Sequence, residues 1–164
     1  MDVVLRQADV TDFHFLQKML YHAIFIPPGV QPPPFEIIEE PELRKYVADF
    51  GQHASDVGLI AQVTEAQIGA VWIRLIQGFG YVDAHIPELS IALLPDYRGQ
   101  GIGTQLLTAL FEIIDPSYVT VSLSVDVINP AHRLYLRFGF EIIDETDGTY
   151  TMLRSTTTNP KTQP

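Results

Sequence analysis

Apolar and polar positions change their period several times along the chain, and those changes mark its elements. Val3-Val4-Leu5-Arg6-Gln7 is a short strand-like run. After Thr11 or Asp12, either able to cap a helix, Phe13, Leu16, Leu20 and Ala23 or Ile24 recur at helical spacing and predict an amphipathic helix. Residues 27–34 hold five of the twelve prolines, which suit neither a helix interior nor a central strand, so a stiff loop is predicted. A second helix is predicted from Pro41, with Leu43, Tyr46, Val47 and Phe50 as its apolar face and Gly51 as its stop.

From Val57 the pattern becomes that of strands. Val57-Gly58-Leu59-Ile60-Ala61-Gln62-Val63 is one, a turn near Glu65-Ala66-Gln67 follows, and residues 68–76 form the next. Residues 79–83 are expected to continue or re-enter that sheet. Glu88-Leu89-Ser90-Ile91-Ala92-Leu93-Leu94 is nearly all apolar, the mark of a central strand. A glycine-rich turn, Arg98-Gly99-Gln100-Gly101-Ile102-Gly103, then opens a helix whose stripe is Ile102, Leu106, Leu110 and Ile113 and which ends at Asp115-Pro116. Residues 119–125 are another buried strand, and Asn129-Pro130 starts a short helix carrying Ala131, Leu134, Tyr135 and Phe138. Residues 140–143 and 149–153 form a hairpin around Asp147-Gly148, and residues 155–164 read as a disordered tail. The chain is thus one α/β domain over residues 1–154, with a mixed sheet and a strand–loop–helix–strand unit at 88–125.

Charge narrows the partners. Ten Lys and Arg against twenty Asp and Glu give a net charge of −10, and the only lysines are Lys18, Lys45 and Lys161. A surface that tracks nucleic acid needs clustered cations, so nucleic acid is not an expected partner. The absence of cysteine removes disulfides, thiolate metal sites and a Cys nucleophile, and the five histidines show no metal-ligand spacing. No metal is expected. No apolar run approaches the ~20 residues of a membrane helix. Asp2, Arg6, Asp9 and Asp12 read against a signal peptide, so the expected location is cytoplasmic.

The glycine turn is the strongest chemical signal. Alternate glycines let the backbone approach a ligand, and the first amides of the following helix have no partner inside it. With the helix dipole and the adjoining Arg98 they make a site for phosphate. The spacing G-x-G-x-G departs from the dinucleotide fingerprint, although Asp126 at the end of the next strand stands roughly where that fingerprint has an acid. No Gly-Lys-Ser/Thr follows, which excludes a Walker loop.

Leu93-Leu94-Pro95-Asp96-Tyr97-Arg98-Gly99-Gln100-Gly101-Ile102-Gly103-Thr104 resembles the acyl-CoA pyrophosphate motif R/Q-x-x-G-x-G/A of the GNAT family, the CoA-dependent N-acyltransferases. Arg98, Gly101 and Gly103 take its three defined positions. Asn129-Pro130-Ala131-His132-Arg133-Leu134-Tyr135-Leu136-Arg137-Phe138-Gly139-Phe140 is similar to that family's N…LY…GF segment, with six residues from Asn129 to Tyr135 where seven is common. The resemblance implies a single α/β GNAT-like domain: a central mixed, mostly antiparallel sheet of six to seven strands flanked by four helices.

It also implies roles. Acetyl-CoA is the expected co-substrate, held by the backbone of Ile91, Ala92 and Leu93, by Arg98, Gly99, Gln100, Gly101, Ile102, Gly103 and Thr104, and by Asn129. Tyr135 is the expected acid near the CoA sulfur, although its place in the apolar stripe also suits the core. Glu88 is the expected base, with His85 the alternative and Tyr81, Asp83 and Ser90 weaker ones. Arg133 and Arg137 suit a CoA phosphate or, more simply, surface acids, and Trp72 suits the core. The segment 25–42, with Phe25, Phe35, Glu36, Glu39, Glu40 and Glu42, is expected to wall the acceptor side. The expected activity is acetyl transfer to a primary amine, small molecule or peptide, by a monomer or homodimer. The alternatives are a non-catalytic acyl-CoA sensor and another nucleotide-binding α/β protein.

Overall fold

A computed structural model describes residues 2–156. Seven strands form one sheet: β1 (Val3–Gln7), β2 (Val57–Val63), β3 (Ala66–Arg74), β4 (Glu88–Leu93), β5 (Thr120–Asp126), β6 (Glu141–Thr146) and β7 (Thr149–Ser155). Four α-helices, α1 (Phe13–Ala23), α2 (Pro41–Arg44), α3 (Ile102–Ile114) and α4 (His132–Arg137), connect them. The spatial order is β1-β2-β3-β4-β5-β7-β6, and every pairing is antiparallel except β4 with β5. This is the mixed, mostly antiparallel sheet expected from the sequence.

The sheet has a core on each face. Val71 and Ile73 of β3 join Leu89 of β4, Val121 and Leu123 of β5 and the inner face of α3. Ala70 and Trp72 point the other way, into a core with Leu16, Met19 and Leu20 of α1 and with Tyr46, Val47 and Phe50. Because β3 is buried on both faces from Ile68 to Ile73, those residues read in sequence as an unbroken apolar run. On α3 the buried positions are Ile102, Gly103, Leu106, Leu107, Leu110, Phe111 and Ile114, while Ile113 is 39% exposed. The stripe therefore ends one residue later than its spacing predicted.

Other local expectations change for identifiable reasons. Asp9, not Thr11 or Asp12, caps the turn leading into α1, because Asp12 is drawn into a two-point ion pair with Arg6 and also accepts from the Asp9 amide. The helix expected over 41–50 is regular only through Arg44. Beyond it the Lys45 carbonyl accepts from Arg74 Nη1 at 3.0 Å and the Tyr46 carbonyl from Trp72 Nε1 at 2.9 Å. Side chains of β3 take bonds that a longer helix would have made internally. Residues 79–83 are not a strand: turns bonded from Tyr81 to Gly78 and from Ile86 to Asp83 fold the connection between β3 and β4 over the sheet. β7 continues to Ser155, past the expected boundary at 154, and the Thr156 amide still bonds the Val119 carbonyl. The rest of the expected tail, residues 157–164, lies outside the described residues.

Candidate active site

The one parallel pairing makes the site. β4 and β5 are in register only at Glu88↔Ser122, where the Ser122 amide also bonds the Pro87 carbonyl at 3.0 Å. Further along, the two strands part and line a cavity of about 350 Å³ through Leu89, Ser90, Ile91, Leu123, Ser124 and Val125. A larger cavity of about 560 Å³ runs along Ile91, Ala92 and Leu93 to Arg98 and Gly103. Ala23, Ile24, Phe25, Ile91, Asn129 and Tyr135 border both, so the two are arms of one cleft.

The larger arm ends at the glycine turn. Gly99 and Gly101 have φ of +71° and +83°, with open space where a Cβ would stand. Conformation, not room, calls for glycine there. The first internal bond of α3 runs from the Gln105 amide to the Gly101 carbonyl, so the amides of Ile102, Gly103 and Thr104 precede it and have no acceptor within the helix. The Ile102 side chain itself is core and contributes only backbone here. A Cβ on Gly103 would stand 3.4 Å from Leu134 and 4.0 Å from Ile91, which brings α3 close to β4 and α4. Arg98 bonds the carbonyls of Leu93 and His22, both at 3.2 Å, fastening the turn to the ends of β4 and α1. Gln100 bonds the Asp96 carbonyl. β4 pairs with β3 through Leu93, and its other edge is unpaired past Glu88, so it presents backbone donors and acceptors to the cleft. These residues can hold an extended ligand ending in phosphates.

The smaller arm carries two carboxylates, Glu88 and Asp126, and two buried phenols, Tyr46 and Tyr135. Tyr135 of α4 is buried with its ring edge-on to Phe140, and among the described residues no group hydrogen-bonds its hydroxyl. Burial alone pushes its phenol up to about 12. Asn129 accepts from the Ala131 amide at 2.9 Å, so it both shapes the start of α4 and borders the cleft. Glu88 is only 2% exposed. The Tyr46 hydroxyl donates to its Oε2 and accepts from the Phe79 amide at 2.8 Å. Among the described residues no group makes a hydrogen bond to Oε1, and the Gly80 amide lies near the carboxylate. Burial pushes the Glu88 carboxyl above its usual range, opposed by the Tyr46 hydrogen bond, the Gly80 amide and the charge of Lys45. Burial and the neighbouring Glu88 charge push the Tyr46 phenol far above its own.

Close glycines allow this enclosure. A Cβ on Gly78 would stand 2.7 Å from Glu88 Oε1, and one on Gly80 would stand 2.6 Å from the backbone of Leu123. The β3–β4 connection thus lies across both strands, and its Phe79 ring stacks on Tyr46 at 6.3 Å.

Several expected residues fall elsewhere. His85 is exposed in a turn held by Asp83 and borders neither arm. Arg133 and Arg137 are exposed on α4, also outside both arms. Glu36, Glu39, Glu40 and Glu42 face solvent, and Phe35 packs on Tyr21, so from the segment 25–42 the cleft takes mainly Phe25, Ile26 and Pro32. Trp72 is core, as expected. Sequence reasoning missed Tyr46, Phe79 and Ser124 as site residues and set Asp126 aside as a ribose acid. The alternation Ser122-x-Ser124-x-Asp126 was the available signal: it puts three polar side chains on one face of a strand whose other face is apolar.

Comparison with known proteins accords with this architecture. The model of the acetyltransferase (GNAT) domain matches residues 54–142. The chain belongs to the GNAT family of acetyltransferases. No curated protein matches it in sequence. Among solved structures, the PaiA N-acetyltransferase of Thermoplasma acidophilum, in complex with coenzyme A, superposes with a TM-score of 0.67 at 17% identity, covering 94% of this chain and 99% of that one. Aminoglycoside acetyltransferase AAC(6')-Ib, also in complex with coenzyme A, has a TM-score of 0.62 at 22% identity over 99% and 100% of the two chains. Mutant forms of the spermidine/spermine N-acetyltransferase SpeG from Vibrio cholerae give 0.58 at 19% identity, again over 99% and 100%.

Proposed function

We propose that the protein transfers an acetyl group from acetyl-CoA to a primary amine by direct attack within a ternary complex. The observation that carries this is the continuity of the cleft: one arm ends at free helix amides, the other at a buried carboxylate, and Tyr135 borders both. Acetyl-CoA would supply an acyl carbon already activated as a thioester. The amides of Ile102, Gly103 and Thr104 would take its pyrophosphate, and the free edge of β4 would pair with its amide-bearing arm.

An alkylamine with a pKa near ~10 is almost wholly protonated at neutral pH, so a base must remove a proton before the nitrogen can attack. Glu88 would take it, directly or through one water; its raised proton affinity suits it to that task. Tyr46 would hold the carboxylate still and keep Oε2 occupied. As the C–N bond forms and the C–S bond breaks, the Tyr135 hydroxyl would donate to the sulfur, which leaves as thiol, and the second proton lost by the attacking nitrogen would restore the Tyr135 phenol through solvent. Release of free thiol from acetyl-CoA across a panel of amines tests this. Turnover that falls in Tyr135→Phe and Glu88→Gln supports it, whereas CoA binding with no turnover on any amine points to a sensor instead.

A further inference from the structure

From the smaller arm we infer the chemical class of the acceptor: a free primary amine with a compact apolar body and no carboxylate. The inference rests on the acetyl-transfer reading above. Three observations carry it. The arm is bordered by two carboxylates, Glu88 and Asp126, and by no Lys, Arg or His. One oxygen of Glu88 is buried without a hydrogen-bond partner among the described residues. The strands' polar side chains, Ser90 and Ser124 among them, face a wall of hydrocarbon made by Leu20 of α1, Ile24 just beyond its end, Phe25, Leu43 and a Phe79 ring that is 58% exposed.

The polar and apolar walls are separate. Glu88 and Ser90 of β4, and Ser124 and Asp126 of β5, lie at alternate strand positions, opposite in facing to Leu89, Ile91, Leu123 and Val125, which pack toward α3. α1 and the Phe79 connection supply the other side. An amine delivered to Glu88 would lay its body against Phe25 and Phe79, the latter held in place by its stack on Tyr46. Asp126 keeps one carboxylate oxygen on the Ile128 amide and adds negative potential along the same strip. An α-amino acid would bring its own carboxylate into a partly desolvated arm bordered by two like charges and no cation, while Lys45, whose charge reaches Glu88, is engaged with Glu42 and the Gln77 carbonyl. At about 350 Å³ the arm is sized for a small molecule. The class is therefore that of alkyl- and arylalkylamines, the products of decarboxylating amino acids.

The test is kcat/KM for matched pairs: 2-phenylethylamine against phenylalanine, and 3-methylbutylamine against leucine. We expect the decarboxylated member of each pair to be better by at least about 100-fold, the scale on which a site rejects a group it cannot pair. Asp126→Asn should narrow that gap several-fold, and Phe79→Ala should raise KM for 2-phenylethylamine more than it lowers kcat. Equal or better use of the amino acids, or a gap that neither variant alters, overturns the inference while leaving acetyl transfer standing. CoA binding with turnover of neither member of either pair, nor of any other amine, overturns both.

Discussion

The Tyr46 hydroxyl donates to the Glu88 carboxylate across 42 positions of sequence and at the same time accepts from the Phe79 amide. One phenol thus ties the buried acid to the connection that covers it. Tyr46→Phe removes the donor that favours the ionised carboxylate, so the proton affinity of Glu88 rises further. The acidic limb of kcat/KM against pH should move upward by about 1 unit, since a hydrogen bond to a charged group is worth ~1.5 kcal/mol or more. An unmoved limb in Tyr46→Phe, with the limb lost in Glu88→Gln, would mean that Tyr46 only packs.

Glu88→Gln should separate stability from activity. The folded carboxyl has a raised proton affinity, so its contribution to stability is full below the unfolded Glu value of about 4.3 and is lost as pH rises through the folded value. Replacing it with a neutral isostere removes that loss. The variant should melt higher than the parent at pH 7, with the difference closing toward pH 4, and its kcat should fall about 100-fold or more. Melting curves at the two pH values check the first half, and turnover checks the second. A variant that melts lower at pH 7 would show that the carboxylate is needed for packing.

Tyr135 makes a prediction about what should be missing. With its phenol pushed up to about 12, it keeps its proton throughout the assayable range. No loss of kcat below about pH 10 should therefore be traceable to it. Tyr135→Phe should lower kcat about tenfold to a hundredfold at every pH and leave the shape of the profile unchanged. A basic limb present in the parent and absent from Tyr135→Phe would sink this account.

Gly101 tests the cradle. At a φ of +83° an alanine costs about 1–2 kcal/mol, and relief of that strain would turn the first amides of α3 away from their common focus. Gly101→Ala should weaken CoA binding about tenfold by calorimetry, with KM for the amine unchanged. An equal rise in both constants would place the damage in the fold and not in the cradle.

Much of this was legible in sequence for a physical reason: strands and the glycine turn are local. The run from Val57 to Val63 falls where the alternation puts it, and alternate glycines beside Arg98 mark a backbone that must come close to something. What escaped was decided by distant partners. The carbonyls of Lys45 and Tyr46 are taken by Arg74 and Trp72, so a segment with a helical stripe ends its regular helix at Arg44. Tyr46 sits in that stripe at the spacing of a core residue; only the parting of β4 from β5 beside it makes its hydroxyl part of the site. The acids at 36–42 looked like an acceptor wall because they are dense, yet the carboxylates that border the cleft are isolated ones, Glu88 and Asp126.

The remaining prediction concerns what supports Tyr46 from below. Arg74 forms a two-point ion pair with Asp56, at 3.1 and 3.3 Å, in which the two side chains are 6% and 2% exposed, and its third nitrogen holds the Lys45 carbonyl. Asp56 also accepts from the Gly51 amide. Removing one partner leaves a buried charge unpaired, which typically costs about 3–5 kcal/mol, whereas replacing both with apolar groups of similar volume recovers much of it. Asp56→Ala should therefore lose about that much stability in denaturant titration, and the double variant Asp56→Leu with Arg74→Met should regain most of it. The double variant still lacks the bond to the Lys45 carbonyl, so its KM for the amine should stay raised even where stability returns. Full recovery of KM together with stability would show that the Tyr46 segment holds its place without Arg74.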